Sequence, residues 1–293
     1  MTVAALDAIA TIQKSPGYWN NVLRRFSRDP VAMVALFVVL ALILMAVFAP
    51  LIAPADPYRA SMLRRLRPIG TEGFPLGTDE LGRDMLTRLI YGGRLSLLMG
   101  VTPVIIAFFI GSFIGITAGY LGGRVNTVLM RTIDVFFAFP SVLLAIALSG
   151  ALGAGIFNGL LSLTIVFIPP IARIAESVTT AVRKIEYVEA ARASGASAFT
   201  IVRVHVLGNV IGPIFVYATG LISVSLILAS GLSFLGLGVK PPEPEWGLML
   251  NTLRNAIYVQ PWVAALPGLM IFITSISFNL LSDSLRSAMD VKS

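Results

Sequence analysis

Few residues in this chain have the types and spacing that acid–base or nucleophilic chemistry requires. The tightest charged group is Asp79, Arg83 and Asp84, in the run Gly77, Thr78, Asp79, Glu80, Leu81, Gly82, Arg83, Asp84. Two carboxylates around a guanidinium could handle a proton or an oxyanion if buried together. The run is polar, so exposure is expected, and loop capping is the preferred role. The single histidine, His205, lies two residues from Arg203 in another polar stretch. It reads as a packed or hydrogen-bonded loop residue rather than a catalytic base. No phosphate-binding loop ending in Gly-Lys-Ser/Thr is present, so by this pattern the chain does not itself hydrolyse ATP. With no cysteine, disulfides and thiolate metal sites are excluded. Nothing here reads as an enzyme, a metal site or a cofactor site.

The elements that carry these residues are mostly apolar. Hydrophobic residues make up 56% of 293 and charged residues 13%, and the mean hydropathy is +0.86, well outside the balance of a soluble domain. Several blocks reach the roughly 20 residues that a helix needs to cross a bilayer. Continuous apolar runs argue against a porin-like barrel. The fold class is therefore an all-α polytopic membrane protein with six transmembrane helices. The net charge of +7 does not point to nucleic acid, because the Lys and Arg residues flank membrane segments and form no basic face of a soluble domain.

Residues 1–30 read as a cytosolic segment, with a brief helix over Leu6–Ile12 and an amphipathic stretch over Trp19–Arg28. Span one is 31–49 and is followed by an extracytoplasmic connection, 50–94, that ends in a short helix from Asp84 to Ile90. Gly92 and Gly93 are expected to break that helix before span two, Leu95–Ala118. Gly111, Gly115 and Gly119 recur every four residues, which permits close helix packing or reflects the general abundance of glycine in membrane helices. Span three, Val128–Ala147, holds Arg131 and Asp134, which can pair, and Pro140, which should bend it. Span four, Leu160–Ala175, is broken by Pro169 and Pro170. Span five runs from Val210 to Leu235 and span six from Val263 to Leu281. An outer loop, 240–262, contains Trp246, Tyr258 and Trp262 at interfacial depth, and the tail 283–293 is cytosolic. The five helices after the connection form one core, 95–282. With the amino terminus inside, 13 of the 22 Lys and Arg residues are inside and 9 outside, a weak bias of the right sign.

The centres of these spans carry no ionisable residue, which weakens a proton- or ion-coupled transporter and fits energy delivered from elsewhere. The longest polar interruption in the second half is Glu189–Asn209, EAARASGASAFTIVRVHVLGN, within a cytosolic loop 176–209. Its composition favours helix up to Thr200, and Gly195 permits a sharp change of direction. Such a helix, held between two span ends, can receive a displacement from a cytosolic motor. An ordinary inter-span loop is the alternative.

Those residues resemble the cytosolic loop of permeases of ATP-driven, binding-protein-dependent importers, with Glu189, Ala190, Ala191 and Gly195 in the pattern's fixed places. The resemblance extends to LGTDELGRDMLTRLIYGGRLSL (Leu76–Leu97), GITAGYLGG (Gly115–Gly123), MRTIDVFFAFPSVLLAIAL (Met130–Leu148), LSFLGLGVKPPEPEWGLMLN (Leu232–Asn251) and FNLLSDSLRSAMD (Phe278–Asp290). Together these are similar to the C-type permease of dipeptide, oligopeptide and nickel importers over nearly everything after Trp19. One departure is Leu207-Gly208-Asn209, where such permeases commonly have Leu-Pro-Asn.

The resemblance implies a type I importer permease fold, with a coupling helix containing Glu189, Ala190, Ala191, Arg192, Ser194, Gly195, Ala196 and Ser197. It implies a homologous B-type permease as partner, two ATP-binding subunits that hold ATP and Mg, and an extracytoplasmic solute-binding protein. It also implies the cytoplasmic (inner) membrane as location, with both termini cytosolic. Peptides are the implied cargo, with nickel chelates, glutathione or oligosaccharides as alternatives. A channel or assembly protein without an ATPase is the rival of another class.

Overall fold

The computed structural model describes residues 18–289, with side chains from Asn20. The expected Leu6–Ile12 helix and the last four residues lie outside the described part. Among the described residues the regular structure is helical, apart from the isolated bridges Thr71–Phe74 and Thr78–Asp84.

A short helix α1 (Tyr18–Phe26) precedes α2 (Pro30–Val47). Asp29 starts α2 by accepting the Val31 N–H at 2.9 Å, with Pro30 at the first helical position. Helix α2 buries Ala32, Ala35, Val39, Leu42 and Ala46 and exposes Phe37 and Val34. Its inward face has i, i+3/i+4 spacing, and its outer face is as apolar as lipid requires. Then come α3 (Met85–Leu121), α4 (Gly123–Phe137), α5 (Ser141–Leu152) and α6 (Ile156–Val182). A short helix α7 (Glu186–Ala193) leads through a helical turn (Ala198–Ile201) and a π turn (Val202–Val206) into α8 (Leu207–Phe234). Helix α9 (Trp246–Thr252) and a 3₁₀ segment precede α10 (Pro261–Met289).

Five helical stretches are long and apolar enough to cross a membrane, and α4 with α5, bent by 85°, make a sixth. Tertiary contacts orient them. Asp29 at the start of α2 accepts from Ser284 near the end of α10 at 2.8 Å, and a Cβ on Gly212 of α8 would meet the Met289 side chain. The start of α2, the start of α8 and the end of α10 therefore share one end of the bundle. The α3–α4 corner belongs there too, since it is bonded to the end of α6. At the opposite end Gly155, before α6, donates to Leu237, after α8. The broken pair α4–α5 thus carries the chain from one end to the other and makes an even number of passes.

Several local expectations change. Helix α3 starts at Met85 and runs unbroken through Gly92 and Gly93, because these glycines make room for the Trp246 indole, whose Cδ1 would stand 2.9 Å from a Cβ on Gly92. Helix α6 is likewise continuous through Pro169 and Pro170. It packs along α3 and against α8, and such neighbours let a helix tolerate the missing N–H groups. The chain at Pro140 is interrupted outright rather than merely bent. Trp246 is fully buried rather than interfacial, whereas Tyr258 and Trp262 are exposed.

Candidate functional site

At the end of the bundle that holds both described termini, the segment after α6 folds into a compact turn. Helix α7 buries Val188 and half-buries Ala191, while Glu189, Ala190 and Arg192 face outward. Gly195 follows at φ +82°, a left-handed conformation open to glycine at little cost. The turn closes through Ala196 N–H to Ala191 O at 3.2 Å and Ser194 Oγ to Ala190 O at 2.9 Å. Ser197 then accepts the Thr200 N–H at 3.2 Å and caps the next turn. Ser194, Gly195 and Ser197 are exposed and Ala196 is half-buried. The expected single helix is thus two pieces hinged at Gly195.

This turn is tied to the corner between α3 and α4. Arg183 donates to Tyr120 O at 2.9 Å and Gly119 O at 3.3 Å, and the Arg192 guanidinium lies 5.9 Å from the Tyr120 ring centre, a cation–π distance. Asn209, at the start of α8, donates to the Tyr187 hydroxyl at 3.0 Å and to His205 O at 2.7 Å. His205 packs its ring 6.0 Å from Tyr187, a structural role. Gly208 sits inside α8 with open space around it, and the irregular backbone lies before it, in the π turn Val202–Val206.

Gly111, Gly115 and Gly119 face successive carbonyls of α6. A Cβ on Gly111 would stand 2.9 Å from Ile168 O, one on Gly119 2.7 Å from Glu176 O, and one on Gly115 would collide with Ala172 O. The four-residue rhythm of α3 meets the same rhythm on α6. Asn126 and Thr180 clamp Glu176 at the end of this seam, at 2.7 and 3.1 Å.

Deeper in the bundle Arg173 of α6 bonds Asp134 of α4 and stacks 6.0 Å from the Phe137 ring. The expected Arg131–Asp134 partner is present only at 3.9 Å, so Asp134 serves to join two helices more than to pair within one. Arg173 stands nine residues before the end of α6, further in than a position at the helix end. Beyond it, at the break, a cavity of about 270 Å³ is lined by Phe137, Phe139, Ser141, Phe167, Pro170 and Val224, among others.

The opposite end holds the group that began the sequence reading, and the expectation of exposure fails there. Thr78, Asp79, Arg83 and Asp84 are all buried. Asp84 caps a helix rather than a loop: it starts α3 by accepting the Thr87 N–H at 2.8 Å. Asp79 Oδ1 accepts from Leu81 and Arg83 backbone N–H groups, both at 2.9 Å, and Oδ2 takes Arg83 Nε at 2.6 Å. Arg88 Nε approaches the same oxygen at 3.2 Å as an ion pair, and Arg88 also reaches Pro57 O at 3.0 Å. Thr78 accepts from Arg67 N–H at 2.8 Å and donates to Arg64 O. Gly77 and Gly82, at φ +76° and +72°, let the connection fold back on itself, with Gly82 pressed against Ser61. Burial, and Asp79 beside it, push the Glu80 carboxyl above its ordinary value. Glu245, also raised by burial, caps α9 through Gly247 and Leu248 N–H at 2.9 and 2.8 Å and accepts from Ser96 at 2.9 Å. Arg88, Glu245 and Tyr120 were not singled out from the sequence; a charged residue directly before Trp-Gly-Leu was the available signal for Glu245.

This is a fastening, in which Asp79, Glu80, Asp84 and Glu245 each bond a structural partner through at least one oxygen, and among the described residues no metal-binding cluster of acids and histidines occurs. A family profile described as "Binding-protein-dependent transport system inner membrane component" matches residues 107–292. The chain belongs to this family. A second profile, the N-terminal TM domain of oligopeptide transport permease C, matches residues 17–68. The permease is 41% identical to a glutathione transport system permease protein of Pectobacterium atrosepticum over 274 residues, covering 94% of this chain and 91% of that one. It is 40% identical to a di/tripeptide transport system permease protein of Pseudomonas aeruginosa over 282 residues, with 94% and 91% covered. An inward-facing structure of the MetNI methionine ABC transporter superposes with a TM-score of 0.56 at 18% identity, over 70% of this chain and 97% of that one, a likeness of fold. The permease is a multi-pass membrane subunit of an ATP-driven, binding-protein-dependent importer, not an enzyme, and ATP hydrolysis falls to separate subunits. That sets aside the channel without an ATPase.

Proposed function

We propose that this permease imports short peptides, glutathione among them, and that Glu186–Thr200 receives the stroke of the ATPase subunits. The observation that carries this is the hinged turn at Gly195. It exposes Glu189, Ala190, Ser194, Gly195 and Ser197 while its underside is anchored by Val188 and by Arg183 at the Tyr120 corner, with the exposed Arg192 reaching over the Tyr120 ring. A push on the exposed face reaches α6 through Arg183, the α3–α4 corner through Tyr120, and α8 through Asn209. Alternating access by coupled rigid elements follows.

On this reading the Gly195 end is cytosolic, together with both termini, and the Asp79–Trp246 end faces the solute-binding protein. A homologous B-type permease completes the pore, and two ATP-binding subunits carrying ATP and Mg dock on the two coupling turns. The peptide class rests on relatives named for glutathione and for di/tripeptide transport, which are equally similar to this chain.

Because the chain has no cysteine, single cysteines report cleanly. In the assembled complex, S197C or E189C is expected to crosslink to an ATPase subunit, and G195W to abolish peptide uptake while the complex still reaches the membrane. Labelling of Ser197→Cys only from the outside of intact cells would refute the sidedness and the coupling role together.

A further inference from the structure

The connection between α2 and α3 carries seven arginines. On an outer face that runs against the usual bias of Lys and Arg to the inside. Their uses divide. Arg83 and Arg88 are buried against Asp79, and Arg94 lies on α3 itself. Arg59, Arg64, Arg65 and Arg67 are exposed, and among the described residues none of them joins an ion pair. Within residues 56–74 the carboxylates are Asp56, which accepts the Tyr58 N–H at 2.8 Å, and the exposed Glu72. The patch is therefore basic.

An apolar knob stands in the middle of this run. The 3₁₀ turn Met62–Arg64 leaves Met62 63% and Leu63 90% exposed, while Leu66 packs inward on the cluster around Trp246. The turn is held on both sides. Ser61 N–H donates to Leu81 O at 3.0 Å and Leu66 N–H to Asp79 O at 3.1 Å. Arg67 N–H donates to Thr78 Oγ1 at 2.8 Å, and the Thr78 hydroxyl donates in turn to Arg64 O. Beside the knob a cleft of about 420 Å³ is lined by Arg64, Arg67, Thr71, Glu72, Gly73 and Phe74, with the Arg64 guanidinium 5.3 Å from the Phe74 ring centre. A fixed leucine held in water and flanked by unpaired guanidinium groups has the make-up of an interface anchor: an apolar centre, a charged rim and little freedom left to lose on binding.

Height decides between a lipid and a protein as the partner. Helix α3 has no charged residue between Arg94 and its end at Leu121, so the hydrocarbon core ends at or below Arg94. Residues 85–93 carry the helix about 13 Å further out, past a headgroup layer about 5–8 Å deep. Helix α6 gives the same level: a Cβ on Gly159 would stand 2.9 Å from the Met99 side chain, so α3 runs on about three turns beyond the start of α6. The knob is tied to residues 78–81, which precede Met85, and so stands clear of the lipid.

We propose that Met62–Arg67 and its cleft form the docking knuckle for an acidic patch on the extracytoplasmic solute-binding protein. Leu63 seats in an apolar socket there, and Arg64, Arg65 and Arg67 face carboxylates around it. This deepens the importer reading above and rests on the Asp79 end lying outside. The segment that rivets the knuckle, Thr78–Asp84, also caps α3, so docking bears directly on the helix whose glycine face packs along α6.

The test uses the complete transporter in nanodiscs and its purified solute-binding protein. Binding to wild type is expected to weaken as NaCl rises from about 50 to about 300 mM. L63A should raise Kd about tenfold, as loss of an anchor does. R64E/R65E/R67E should raise it further and remove most of the salt dependence. Unchanged melting temperatures of the variant complexes separate lost docking from lost folding. A photoreactive benzoylphenylalanine in place of Leu63 should capture the solute-binding protein, and one in place of Phe109, exposed on α3 within the span, should not. Wild-type affinity in both variants, or capture of lipid or of the partner permease at position 63, overturns the surface and leaves the importer reading standing. If the wild-type complex binds the protein at the Gly195 end, or not at all, the reading beneath falls and the surface falls with it.

Discussion

Gly115 of α3 lies against the backbone carbonyl of Ala172 of α6 with no room for a methyl group between them. With Gly111 on Ile168 and Gly119 on Glu176, it makes these helices meet backbone to backbone over two turns. In a bilayer, where apolar side chains gain little by leaving lipid, such close approach is what holds helices together.

Replacing Gly115 by Ala is therefore expected to destabilise the permease by about 1–3 kcal/mol, the range for overpacking. Gly150→Ala, at a helical position with nothing within 4 Å, should be neutral or stabilise by up to about 1 kcal/mol. Thermal unfolding of the purified complex in detergent measures both. Equal behaviour of the two variants would mean that the seam does not constrain the fold.

Asp79→Asn removes the one carboxylate shared by Arg83 and Arg88 and leaves two buried guanidinium groups facing each other. Breaking a buried pair from one side costs about 3–5 kcal/mol, so D79N should accumulate poorly and melt well below wild type. E80Q keeps a carbonyl oxygen where Glu80 Oε1 accepts from Arg83 at 2.8 Å and should differ little. A wild-type melting temperature for D79N would refute the arrangement.

Glu245 is held above its ordinary value of 4.5 by burial. A carboxyl with a raised native pKa binds more protons folded than unfolded in the window above 4.5, so its contribution to stability falls as pH rises through that window. Glu80 acts in the same direction. Wild type should therefore lose stability from these groups on going from pH 4.5 upward until their native pKa is passed. E245Q, although less stable through its weakened cap, should show a shallower slope. Melting temperatures across pH 4.5–7.5 for both proteins give the comparison, and parallel curves would contradict it.

Arg173→Ala and Asp134→Ala should each impair uptake, and their double mutant should lose less than the sum. A coupling of roughly 1 kcal/mol is expected for a partly exposed pair. Strictly additive losses would show that α4 and α6 are not joined through these side chains.

The apolar runs made the helical membrane fold readable, since lipid leaves the backbone few alternatives, and Pro140 marked a bend where the chain in fact breaks into α4 and α5. What was hidden depended on residues far apart in sequence. Gly92-Gly93 has the look of a break until Trp246 is seen filling the space beside it. Asp79 and Arg83 look exposed until the backbone of residues 61–67 folds over them. Pro169-Pro170 looks like an interruption because its compensation lies in neighbouring helices. At the Gly195 turn, residue types showed where a hinge could form, but not that Arg183 and Arg192 would converge on Tyr120.

The glycine face of α3 also bears on biogenesis. Helix α3 is made well before α6, so a nascent chain that has inserted only the earlier helices presents an unfilled strip of backbone to lipid. Synthesis must pass Val182 before that strip can be closed. Chains halted short of that point would be the natural prey of membrane proteases and quality-control factors.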